Sequence, residues 1–60
     1  MMTFKVTVKQ RTFAANSERQ GVFELVHGAY QQHRGTMQTP TFRDEQHLRR
    51  YVQRMLRGEV

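Results

Sequence analysis

Apolar and polar positions alternate strictly at the start of the chain. In "TFKVTVKQ", Phe4, Val6 and Val8 fall on one side, and Lys5, Thr7 and Lys9 on the other. A period of two with β-branched residues predicts a half-buried strand, extending toward Phe13. The last third follows a different rule. Leu48, Tyr51, Val52, Met55 and Leu56 recur at the spacing of one helix face, with Asp44 placed to cap the helix, Phe42 to staple its start and Gly58 to close it.

The middle admits two patterns. Over "AANSERQGVFELVHGAYQQHRG", a 100° rotation per residue gathers Val22, Phe23, Leu25, Val26, Ala29, Tyr30 and His33 into about half the wheel and puts Glu24 on the other side. Asn16 or Ser17 then serves as N-cap and Gly35 as the glycine beyond the C-terminus. This favours a helix, at the cost of Gly21 and Gly28 in its interior, each worth roughly 1 kcal/mol against alanine. The competing pattern makes "GVFELVH" a second strand, hairpinned to the first through "AANSERQ"; its apolar residues do not share one face. "TMQTPTF" reads as an edge strand or extended linker, because Pro40 has no backbone donor. The expected fold is therefore α+β: one small two-layer domain over 1–60, in the order strand, helix, short extended segment, helix.

Length sharpens this picture. A 60-residue chain buries only ~60% of the surface its unfolded form exposes. With no cysteine, neither disulfides nor thiolate zinc sites can compensate. A homodimer paired strand to strand is the expected remedy, and cysteine-free composition fits a cytoplasmic protein. No run approaches the ~20 apolar residues of a membrane span, and the N-terminal segment does not read as a signal peptide.

Charge changes the picture most. Ten Lys and Arg against five Asp and Glu give a net charge of +5, a field that favours an anionic partner. On the C-terminal helix, Arg50, Arg54 and Arg57 form a stripe opposite the apolar face, with Arg49 at its boundary. Only Glu45 is spaced to pair with Arg49. The first strand projects Lys5, Thr7 and Lys9 together, followed by Arg11, and the first sixteen residues hold no acid. The candidate binding set is thus Lys5, Thr7, Lys9, Arg11, Arg49, Arg50, Arg54 and Arg57. Tyr30, His33 and Arg34 form a second cluster, an aromatic ring beside two potential phosphate-binding groups. Phe4, Phe23 and Tyr51 are expected in the core, leaving Tyr30 or Phe13 for contact with a ligand.

Catalytic and metal chemistry find less support. His27 and His33 are six residues apart and cannot share a metal on one helix; no H-x-x-x-H pair, nucleophile motif or glycine-rich phosphate loop occurs. Neither an enzyme nor a cofactor or metal is expected.

Two functions remain. One is a small regulator that binds nucleic acid, DNA or RNA, through its basic strand and helix. The other is an inhibitor or adaptor, of the kind mobile elements and phages encode, whose arginine-rich helix docks on an acidic surface of a host protein. Among nucleic-acid binders, the ribbon–helix–helix fold has a strand with polar residues where Lys5, Thr7 and Lys9 stand. This chain departs from it in the long, Pro40-containing connection and in Asp44 and Glu45 at the second helix start, so no family is assigned on that ground.

Overall fold

The computed structural model describes residues 2–33 and 39–60. Four strands, β1 (Thr3–Val8), β2 (Arg11–Asn16), β3 (Phe23–Val26) and β4 (Ala29–Gln32), form an antiparallel sheet in sequential order. One helix, α1 (Glu45–Leu56), follows them and packs on one side of the sheet. The α+β class and the two layers are as expected. The helix expected over the middle of the chain is not: its described residues, 17–33, form a loop, β3 and β4.

The reason lies in the turns. Val8 pairs with Arg11 across Lys9 and Gln10, whose φ angles are 52° and 65°. Val26 pairs with Ala29 across His27 and Gly28, at 52° and 82°. Two central residues with positive φ are what a tight hairpin turn matching strand twist requires. A helix through residues 17–33 would need negative φ at His27 and Gly28, where the chain instead reverses. Gly21 also has a positive φ of 124°, and a Cβ there would stand 3.3 Å from the Phe23 ring.

The second-strand alternative held for residues 23–26, with a different partner. β3 pairs with β2 at Phe13↔Glu24 and Ala14↔Phe23, and β2 in turn pairs with β1 from Thr3↔Asn16 to Val8↔Arg11. The first strand therefore finds a partner for its backbone groups within the chain, so its pairing does not call for a second copy. With one described helix and this sheet, the ribbon–helix–helix arrangement does not apply. The segment "TMQTPTF" lies partly outside the described residues; its Thr39–Phe42 portion is irregular rather than a strand. Thr39 is buried there, and its hydroxyl accepts the Gly21 N–H, tying this segment to the β2–β3 connection.

The core sits between α1 and the β1–β2 half of the sheet. Phe4, Val6, Phe13, Ala15, Val22, Phe42, Leu48 and Val52 are all buried. Val8, Tyr51, Met55 and Leu56 pack at its border, whereas Val26 stays half-buried outside the cluster. Phe13, read from the sequence as available to a ligand, is fully buried. Each side chain such as Leu48 or Val52 contributes about 1.5–3 kcal/mol by leaving water.

The ends of α1 are built as the sequence predicts. The Asp44 side chain accepts the His47 N–H at 2.8 Å. Phe42 meets the rings of His47 and Tyr51 at 4.9 and 5.4 Å, fixing the approach to the helix. At the far end, Gly58 with φ 79° donates to the Met55 carbonyl, and Glu59 donates to that of Arg54, a Schellman closure.

Candidate nucleic-acid interface

Strand register decides which side chains share a face. Directly paired residues point the same way, so Phe4, Val6, Phe13 and Ala15 lie under α1, together with Arg11 and Glu24. The opposite face is not covered by any described element. One row across it runs Lys5↔Ala14↔Phe23↔Gln32 through all four strands. Thr3, Thr7, Thr12, Leu25 and Tyr30 stand on the same face. Leu25 and Tyr30 are 41% and 42% exposed.

Near the centre of this face the chain makes a shallow depression. Thr3, Lys5, Ala14, Ala15, Asn16, Phe23 and Tyr30 line it. Ala14 is the small residue of the row, and across it the long side chains of Lys5 and Tyr30 approach. The Lys5 ammonium lies 5.8 Å from the Tyr30 ring centroid, within reach of the ring's negative face. The strands contain a single carboxylate, that of Glu24, and it points to the other side. The open sheet face therefore has a cation, two aromatic rings and neutral hydrogen-bonding groups, and no acid from any strand.

Glu24 is committed elsewhere. Arg11 grips it with two hydrogen bonds of 2.7 and 2.8 Å, and His33 stands 3.7 Å from the same carboxylate. The guanidinium also lies 5.4 Å from the Phe13 ring centroid. The hydrogen bond from Arg11 holds the Glu24 carboxyl below its ordinary range, against a weaker opposing push from partial burial, and the same bond raises Arg11. On a helical wheel Glu24 and His33 fall apart, but adjacent strands bring them together. The cluster ties β2, β3 and the end of β4 to one another.

The second sequence cluster is divided. Tyr30 and His33 are three residues apart, which in extended chain sends them to opposite faces; Tyr30 joins Lys5, His33 joins Arg11 and Glu24. Arg34 lies outside the described residues.

The basic groups of α1 are also sorted by the fold. Arg49 donates to the Thr7 carbonyl at 3.2 Å, beside the outer edge of β1, and stands 3.7 Å from Glu45. Arg57 and Arg54 share Glu59, at 2.6 and 3.8 Å, so the stripe that looked uncompensated has its acid three residues past the helix. Arg50 is exposed, and no described carboxylate lies within ion-pair distance of it. Lys9, in the first hairpin turn, and Arg57 line one groove with Val8, Gln53 and Leu56. Lys5 and Thr7 thus occupy the open face, Lys9, Arg49 and Arg57 flank β1, and Arg50 and Arg54 lie on the far layer.

Phe23, like Phe13, stands where sequence reasoning did not put it, and the two have exchanged roles. Expected in the core, Phe23 is half-buried on the open face. The signal was present in "GVFELV", whose apolar residues refuse to share a face because two of them, Phe23 and Leu25, are not covered. Among the described residues, no three His, Asp or Glu side chains converge as a metal site would need, and no helix is long and apolar enough to cross a membrane. No family model, curated protein or solved structure matches this chain.

Proposed function

We propose that this is a small, non-enzymatic protein that binds nucleic acid in the cytoplasm through its basic surface. One observation carries the reading: four of the five acids stand beside cations of the chain itself, while other cations are left over. Glu24 is held by Arg11, Glu45 stands beside Arg49, Glu59 serves Arg54 and Arg57, and Asp44 caps α1 beside Arg43. Lys5, Lys9 and Arg50 are exposed with no described carboxylate within ion-pair distance, so three of the ten cations face outward, free to meet phosphates.

An acidic protein surface is the competing partner for such cations. It drew its support from an arginine stripe on α1, and Glu59 already neutralises part of that stripe. Binding to arbitrary single-stranded and duplex DNA across a salt series separates the two. A nucleic-acid partner predicts affinity that falls steeply with salt, and a Lys5→Gln/Lys9→Gln protein should show a slope shallower by about 0.7–0.9 per lost phosphate contact. If neither DNA nor RNA is retained at low salt, the proposal fails and the acidic-protein reading replaces it.

A further inference from the structure

Resting on that reading, we propose that the contact is the open face of the sheet and that it takes single-stranded nucleic acid, with unpaired bases on Tyr30 and Phe23 and the backbone beside Lys5. Base–aromatic stacking needs an exposed ring face on the protein and an exposed base on the ligand. Tyr30 and Phe23 line the same depression, on rigid strands rather than on a loop. At about 180 Å³ the depression is smaller than the ~300–1,000 Å³ of small-molecule sites and is open to solvent, so it suits a ring laid flat rather than an enclosed ligand. A duplex hides its base faces and can offer such a surface only its phosphates.

Charge selects the occupant. The face has Lys5 and no strand carboxylate, so a second copy docking sheet to sheet would set Lys5 against strands that offer it no carboxylate, the exposed Glu18 lying beyond them in the β2–β3 connection. An anionic ligand with flat apolar rings satisfies both Lys5 and the aromatic rings. Thr3, Thr7, Thr12 and Gln32, on the same face, offer neutral donors and acceptors around it. Arg50 and Arg54, on the far side of the helix layer, are not needed for this contact.

The test is fluorescence anisotropy at low salt with a labelled twelve-nucleotide oligothymidylate and a twelve-base-pair duplex. The proteins are wild type, Tyr30→Ala, Tyr30→Phe, Lys5→Gln and Arg50→Gln/Arg54→Gln, each first checked for a cooperative melt. The single strand should bind more tightly than the duplex. Tyr30→Ala should weaken it by roughly tenfold with an unchanged salt slope, since stacking releases no counterions, and Tyr30→Phe should restore it. Lys5→Gln, which keeps every packed residue, should weaken binding and make the slope shallower by about 0.7. The helix variant should lose less than either. Should Tyr30→Ala and Lys5→Gln bind as wild type while the helix variant fails, the open-face contact is overturned and the nucleic-acid reading survives on α1. Failure of wild type to bind either probe, or a labelled twelve-nucleotide oligouridylate, overturns both. A wild-type dimer that Tyr30→Ala converts to monomer would assign the face to a second copy and overturn the inference.

Discussion

The two faces of the sheet are made by the same four strands and differ in what they bury. Under α1, Phe4, Val6, Phe13 and Ala15 are at most 8% exposed and meet Leu48 and Val52 across the interface. On the other side, Phe23, Leu25 and Tyr30 project beside Lys5 with no described element above them. Apolar residues on the first face are explained by folding alone. Those on the second are buried less, Leu25 and Tyr30 staying 41% and 42% exposed, and it is there that the proposal places the ligand.

The widest separation between the faces should appear in stability. Phe13→Ala removes a fully buried ring and should cost about 3–5 kcal/mol, enough to unfold so small a domain in a urea titration. Tyr30→Ala, across the sheet, should cost less than about 1 kcal/mol. Equal losses would mean that both faces are core and would remove the contrast.

The cover itself can be loosened. Asp44→Ala deletes the side chain that accepts the His47 N–H, and should cost about 1 kcal/mol in thermal unfolding. Binding on the open face should be untouched in the folded protein, since the cap lies on the helix layer.

Much of this contrast was legible in the chain. Phe4, Val6 and Val8 set against Lys5 and Thr7 gave the two sides of β1, and α1 was marked by its periodicity and by both caps. The partner strands were hidden for identifiable reasons. Lys9 and Gln10 make the first hairpin turn without Gly, Asn or Asp, so nothing in the sequence announces a reversal there. β2 has Phe13, Ala14 and Ala15 in succession, all buried, which erases alternation. In β3 and β4, apolar residues occupy both faces, and folding both faces onto one wheel produced an apparent helix. The misreading and the candidate site share one cause, the uncovered Phe23 and Leu25. Lys5, Thr7 and Tyr30 were found from sequence, whereas the pairing of Lys5 with Tyr30 and of Glu24 with His33 required the sheet register.

The turn that hid the first hairpin offers a smaller effect of opposite sign. Gln10 has a φ of 65°, a conformation that costs most L-residues about 1 kcal/mol or more and glycine very little. Gln10→Gly should raise the unfolding free energy modestly in a urea titration, by up to about 1 kcal/mol after the added freedom of the unfolded chain is counted.

The smallest expected effect is the Arg11–Glu24 pair, on the α1 side of the sheet but beyond the core. The hydrogen bond from Arg11 lowers the Glu24 carboxyl, so as pH falls the unfolded chain takes up this proton first. The contribution is fully present above the ordinary glutamate value of about 4.3 and is lost as pH drops through the lower folded value. Wild type should therefore exceed Glu24→Gln in stability at pH 7, by less than about 1 kcal/mol because Arg11 is exposed, and the difference should vanish in acid. A difference independent of pH would place the effect in packing rather than in the ion pair.

The contrast between the faces is tested most directly by titrating isotopically labelled protein with oligothymidylate and following the backbone amide resonances. The proposal predicts that the largest shifts fall on Lys5, Ala14, Phe23, Leu25 and Tyr30, with Arg50 and Arg54 nearly unmoved. Shifts confined to Arg50, Arg54 and Arg57, with the open face silent, would contradict it.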